Sequence, residues 1–216
     1  MSETNAEVLA AQIQQRTLEV GILLFPEVEI LDFAGPYEVF SVAARVAKRD
    51  RLLPHPAFRV RTLAAEPSLL TVRHGLRVMP DAGFADESPC DLLLVPGGVV
   101  TQPLQDPATL AWVRRTSARA AVTASVCTGA FILAETGLIE GRRVTTHWED
   151  IPDLRAQYPD LDVIESVPYV DLGSILTSAG ISAGIAMSLH LVARLLGAEA
   201  ARATARQMQY EWTDEV

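Results

Sequence analysis

Cysteine is scarce in this sequence: Cys90 and Cys127 are the only thiols in 216 residues. Two are too few for a disulfide framework or a structural zinc site, so any cysteine chemistry is that of a single thiol. Positive charge is also in deficit. Lys and Arg number 18 against 27 Asp and Glu, a formal net charge of -9, and such a surface repels polyanions, which disfavours nucleic acid as a partner. No apolar run approaches the roughly 18 to 20 residues needed to cross a bilayer. The stretch from Met1 to Gln15 lacks the basic start and apolar middle of a secretory signal. His55, His74 and His190 share no ligand spacing with one another or with the cysteines, so no metal site is expected. No repeat, low-complexity tract or linker divides the chain. A soluble cytoplasmic protein, bound to neither nucleic acid nor membrane, is the expectation.

What is plentiful is apolar sequence, 49% of the chain, enough to fill the core of one domain of this length. Residues 1–17 carry only a weak helical spacing (Val8, Ile13) and read as an N-terminal arm; residues 18–216 read as a single domain. The runs at 18–25, 91–95 and 121–126 are nearly continuous in apolar residues, as strands buried on both faces of a parallel sheet are. The segment 58–63 alternates like a strand, and 143–146 and 162–164 add two short ones. Hairpins are predicted at 69–79 and, around Gly173, at 169–178. Helical periods fall at 37–46, 104–118 with Pro107 in the first turn, 131–135, 151–158, 185–196 ending at Gly197, and 200–210. Alternating strand and helix units predict an α/β fold, a doubly wound, mostly parallel sheet with helices on both faces and a small β-hairpin.

Ligands of such sheets sit beyond the carboxyl ends of the strands, so the residues just after each strand carry the interest. At Ser125-Val126-Cys127-Thr128-Gly129-Ala130 a buried strand turns at once into a helix with small residues around the bend, the pattern of a nucleophile elbow. A thiol at a helix N-terminus feels the positive end of the dipole, which lowers its pKa. Cys127 is therefore the candidate nucleophile, against the plainer role of a small apolar side chain ending a core strand. Gly97 and Gly98 follow the strand at 91–95; consecutive glycines let N–H groups converge on a developing negative charge, or simply make a tight turn. Asp32 is the one carboxylate in the apolar stretch Ile30 to Pro36. It either holds a raised pKa suited to proton exchange or caps the following helix. His147 either faces the same crevice or packs as an ordinary histidine. Cys90 precedes its strand, at the opposite end of the sheet, and is assigned no chemistry. Glu135, Glu140, Glu149 and Asp150 read as solvated surface charges.

Taken together, LLFPEVEILDFAGPYEVF (23–40), DLLLVPGG (91–98), SVCTGAFILAETGLIEGRRVTTHW (125–148) and ILTSAGISAGIAMSLHLVARLLG (175–197) resemble the ThiJ/PfpI superfamily, over about residues 18–212. The resemblance implies a class-I glutamine amidotransferase-like, flavodoxin-like fold. It is strongest to the isocyanide hydratase branch, because LDFAGP has Asp where many relatives have Glu and SVCTG has Thr after the Cys. This implies a cysteine-dependent lyase that adds water to an isocyanide and yields an N-substituted formamide, with no cofactor. By motif, Cys127 is the nucleophile and Asp32 its acid/base partner; Gly97, Gly98 and Thr128 line the pocket, and Ile181 and Ser182 lie on the helix behind Cys127. The resemblance also implies a homodimer acting on a small molecule.

Two departures from relatives narrow the reading. PfpI-type proteases have His directly after the nucleophile, and Thr128 cannot serve as that base. Glyoxalase- or deglycase-type relatives carry Glu at the position of Asp32. A different class of reading comes from AraC-type transcription regulators, whose ligand-sensing half has the same segments. The few residues after the last predicted helix and the charge of -9 point away from a DNA-binding regulator, leaving a stand-alone ligand or redox sensor as the alternative. Mild peroxide is expected to oxidise Cys127 before Cys90.

Overall fold

Leu92, Leu93, Leu94 and Val95 are all buried, and so is every residue of Val122–Val126, because both runs sit in the middle of a sheet covered on two faces. The structure, a computed structural model, describes residues 5–213. In chain order its elements are α1 (Asn5–Gln12), β1 (Leu18–Leu23), α2 (Ile30–Arg49), β2 (Phe58–Ala64), β3 (Leu70–Thr71), β4 (Arg77–Val78), β5 (Ala82–Gly83), β6 (Leu92–Val95), α3 (Thr101–Gln105) and α4 (Pro107–Ser117). There follow β7 (Val122–Val126), α5 (Gly129–Glu135), β8 (Arg143–Val144), α6 (Ile151–Gln157), β9 (Asp162–Val163), β10 (Tyr169–Asp171), β11 (Ile175–Ser178), α7 (Ala183–Leu196) and α8 (Ala198–Gln207).

The central sheet has seven strands in the order β10-β11-β7-β6-β1-β2-β5, parallel throughout except for β10 against β11. From β1 the chain moves to β2 on one side, whereas from β6 it moves to β7 on the other. Right-handed crossovers in opposite directions put their helices on opposite faces. Accordingly α2 packs with α7 and α8, while α5 packs on β6 and β7 beside α3 and α4. The doubly wound arrangement is the one expected. Within the first of these layers, Phe40 is wholly buried and meets Phe58 edge-on at 5.1 Å; truncating such a ring to Ala costs about 3–5 kcal/mol.

Four local differences from the sequence expectation have physical causes. α2 begins at Ile30, not Tyr37, because Glu29 caps it through a 3.3 Å bond from Ile30 N–H; Pro36 is carried inside the helix, where its ring leaves the carbonyl of Asp32 without the usual partner. The short strands β8 and β9 pair with each other, parallel, outside the central sheet. β5, two residues long, has too little pattern to be read from sequence. In the segment read as an arm, Leu9 and Ile13 are fully buried, α1 packs on α7, and Arg16 forks onto both oxygens of Asp91 at 2.7 Å. Residues 1–4 of that segment and residues 214–216 lie outside the described residues. Among the described residues no helix is long and apolar enough to cross a membrane.

Candidate active site

The loops after β1 and β6 bracket the point where the sheet reverses direction, the place where doubly wound sheets bind ligands. They are zipped together by Glu29 N–H on Gly97 O at 2.9 Å and Val99 N–H on Glu27 O at 3.1 Å. Glycine is required at both positions here. A Cβ on Gly98, whose φ is 128°, would lie 2.4 Å from Glu27 O, and one on Gly97 would lie 2.4 Å from the Thr128 hydroxyl. The N–H groups of this turn are already engaged. Gly97 N–H donates to Asp32 Oδ2 at 3.0 Å and Gly98 N–H to Thr128 Oγ1 at 2.9 Å, with Thr128 returning its proton to Gly98 O at 3.0 Å. The glycines therefore position Asp32 and Thr128; they present no spare donors for an oxyanion.

Cys127 follows β7 directly, with φ at 58°, a left-handed backbone that costs on the order of 1–3 kcal/mol in a non-glycine residue. The surroundings enforce it. Cys127 N–H donates to Ser178 O at 3.2 Å, and its carbonyl accepts the Thr146 hydroxyl at 2.8 Å. The sulfur lies within hydrogen-bonding reach of the N–H groups of Thr128 and Ile181. Ile181 and Ser182 precede α7 and do not lie on it: Ile181 is itself left-handed at φ 48°, and Ser182 is exposed at the N-cap.

Asp32 is the third residue of α2, 0% exposed, and is not its cap. Its Oδ2 takes Gly97 N–H, the buried Oδ1 has no hydrogen-bond partner among the described residues, and the Cys127 thiol lies close enough to act on the carboxyl. Burial raises the Asp32 carboxyl to about 7, with Glu29 adding to the rise and Gly97 N–H, Cys127 and Arg73 opposing it. The raised value expected from its apolar setting is thus found. The lowered thiol value is not. Burial first, then the Asp32 charge, pushes the Cys127 thiol up to about 12 against the Thr128 and Ile181 N–H groups. Helix α5 starts two residues later, at Gly129, and the field at its end falls off within a turn. The two groups form a coupled acid pair that loses one proton near 7 and holds the second far above.

Cys127, Thr128, Gly98, Ile181 and His147 line one cavity of about 270 Å³; Asp32, buried behind Cys127, does not, nor do Gly97 and Ser182. His147 thus faces the crevice, and its Nδ1 lies 3.2 Å from Asp150 Oδ2 and 3.8 Å from Glu149 Oε2. Asp150 and Glu149, read from sequence as solvated charges, both line this cavity. Glu29 and Arg73 do as well, paired at 3.4 Å. Arg73 comes from the β3–β4 hairpin, and nothing in the sequence pattern links that hairpin to Cys127. The i, i+3 spacing of His147 and Asp150 was the available signal for their pairing. A larger cavity of about 780 Å³, beside Arg49 and the Arg202 and Arg206 of α8, contains none of these residues.

The DJ-1/PfpI family model matches residues 19–194. Isonitrile hydratase of Pseudomonas putida is 34% identical over 198 residues, spanning 89% of this chain and 78% of that protein. The HTH-type transcriptional regulator CdhR of Pseudomonas aeruginosa is 31% identical over 179 residues, 83% of this chain but only 51% of the regulator. Among solved structures, a ThiJ/PfpI family protein from Pseudomonas syringae superposes with a TM-score of 0.78 at 26% identity, covering 92% of this chain and 77% of that one. Drosophila melanogaster DJ-1beta shares the fold, with a TM-score of 0.76 at 17% identity over 91% of this chain and 100% of its own. A strained cysteine elbow on a doubly wound sheet, matched along most of its length, makes this chain a member of the DJ-1/PfpI family.

Proposed function

We propose that the protein is a cysteine-dependent isocyanide hydratase, converting an isocyanide and water to an N-substituted formamide. The buried Cys127–Asp32 pair carries this reading. An isocyanide carbon is both electrophilic and a carbon base, so its hydration needs a nucleophile and a proton donor at one point. The singly protonated pair supplies both. The Asp32 carboxylate draws off the thiol proton as the sulfur adds to the carbon, and Asp32 delivers that proton to the same atom, giving a thioimidate bound through sulfur. Water then adds to that carbon; one of its protons goes to nitrogen and the other returns to Asp32 as the C–S bond breaks. The formamide leaves, and the pair is back in its starting state. Thr128 and Ile181 N–H groups stabilise the thiolate as it departs. His147, backed by Asp150, lines the cavity through which water enters. The similarity to isonitrile hydratase supports the reading.

The similarity to CdhR favours a second reading, a ligand-sensing domain, and a glyoxalase-like stress enzyme is the enzymatic alternative. Incubation with a simple n-alkyl isocyanide, beside methylglyoxal, separates them by mass spectrometry of the products. N-alkylformamide from the isocyanide and no lactate from methylglyoxal is the expected result. Lactate without formamide overturns the proposal, and turnover of neither favours the sensor. We also propose a cytoplasmic homodimer through the outer face of α2, where Leu31 and Tyr37 are exposed; a monomer in sedimentation at micromolar concentration would reject the dimer.

A further inference from the structure

The cavity at Cys127 has a neighbour. Gly98, Thr128 and Asp150 also line a second cavity of about 370 Å³, which adjoins the first and lies between the β6–α3 loop, α3, the start of α5 and α6. Small-molecule sites usually measure about 300–1,000 Å³. The Cys127 cavity at about 270 Å³ is smaller than that; joined to its neighbour it lies well inside the range. The lining of the second compartment has two characters. Val99, Leu104 and Phe131 give it an apolar wall, whereas Asp150 and Asp153 are carboxylates, and no Lys or Arg is among the residues that line it.

We propose that this second compartment receives the N-substituent of the substrate, and that it selects an aliphatic chain ending in an ammonium group over a neutral chain, and a neutral chain over a carboxylated one. The proposal rests on the reading of Cys127 as the group that attacks the isocyanide carbon. With that carbon at the sulfur, the substituent must extend away from it, and beyond the shared residues Gly98, Thr128 and Asp150 lies an apolar wall. Leu104 and Phe131 gain from covering methylenes that would otherwise meet water. Asp153 in the first turn of α6 and Asp150 just before it attract a cationic terminus and repel an anionic one across a few ångströms, an effect largest at low ionic strength. Asp153 is exposed, so its substitution leaves the core untouched.

Three isocyanides of equal length, ending in methyl, ammonium or carboxylate, test the selection at low salt. The wild-type kcat/KM is expected to favour ammonium over carboxylate at least tenfold, and Asp153→Asn to reduce that preference at least threefold. Leu104→Trp should lower the ratio of kcat/KM for hexyl over methyl isocyanide at least tenfold by filling the compartment. A preference for the carboxylate, or ratios that neither variant moves, would overturn the proposal while leaving isocyanide hydration intact. A readout free of turnover separates the two failures: calorimetric binding of the corresponding N-alkylformamides should show the same order and the same response to Asp153→Asn. That order persisting in a protein that hydrates no isocyanide would condemn the reaction and keep the compartment; equal binding of all three would condemn the compartment.

Discussion

Cys127 and Cys90 stand at opposite ends of neighbouring strands, and what they share shows which features matter. Both thiols are surrounded by protein, and burial is the largest cause of a raised value in each, to about 12 at Cys127 and about 11 at Cys90. Neither acidity nor exposure distinguishes the reactive candidate. Cys127 is only 6% exposed, and Cys90 is the more exposed of the two. The difference lies in partners. Cys127 has a left-handed backbone, two N–H groups at its sulfur, a carboxyl held near neutrality beside it, and a cavity in front. Cys90 donates to the carbonyl of Leu92 at 3.3 Å and rests against Gly21. A thiol becomes a nucleophile here through its proton-exchange partner and not through a low pKa of its own.

The sharpest way to break this comparison is to replace sulfur by oxygen at each site. Cys127→Ser is expected to lower isocyanide hydration on the order of 10⁴-fold or more, since a hydroxyl beside Asp32 has no base strong enough to ionise it. Cys90→Ser should stay within about twofold of wild type in kcat/KM. Comparable losses at both sites would mean that the fold, and not the elbow, was being disturbed.

Asp32→Asn comes next. The amide can still accept Gly97 N–H, so the loops stay zipped, but it cannot hand a proton to carbon; a loss of roughly 10²-fold in kcat is expected. The pH profile gives an independent check. Below about 7 the wild-type pair holds two protons and lacks the carboxylate that takes up the thiol proton, so kcat/KM should rise with pH to a plateau above about 7, and the Asn variant should lack that inflection. Stability should move the other way. Asp32 holds its proton up to about 7 when folded against an ordinary value of 3.8, so folding takes up a proton between these values and stability falls as pH rises through that window. The Asn variant has no such proton and should be the more stable protein at pH 8, by up to about 4 kcal/mol, with the gain gone near pH 4. An Asn variant of wild-type activity would show that another group delivers the proton.

How much of this was legible in sequence depended on whether the cause was local. The elbow at Val126-Cys127-Thr128-Gly129, the three apolar core strands and the apolar setting of Asp32 are written in consecutive residues, and each appears where expected. The start of α2 is not legible because Glu29, a long side chain reaching its own neighbour's N–H, is a rarer cap than Asp. The role of Gly97 and Gly98 was misjudged for a different reason: whether a glycine N–H is free or occupied depends on Asp32 and Thr128, 65 and 30 residues away in the chain. Arg73, Glu29 and Asp150 were missed because a pocket wall gathered from a hairpin, a cap and a short helix has no periodicity to reveal it.

The smallest expected effect sharpens the comparison from the side of Cys90. If that thiol is only a packing group, Cys90→Ala should leave kcat, KM and the pH profile unchanged and reduce stability by about 1 kcal/mol. The loss has two sources. One is the weak sulfur-to-carbonyl bond on Leu92, whose acceptor would lose its side-chain donor. The other is the space the sulfur fills against Gly21, where a Cβ would come within 2.9 Å of it; the small void left behind loses its dispersion contacts. Because the Cys90 thiol stays protonated until about pH 11 in the folded chain, the loss should be flat between pH 4 and pH 8, in contrast to the pH-dependent gain at Asp32. Thermal unfolding of both variants across that range measures the two shapes directly. A Cys90→Ala loss that varied with pH, or that came with a change in kcat/KM, would tie the second thiol to the acid pair and end the distinction between the two sites.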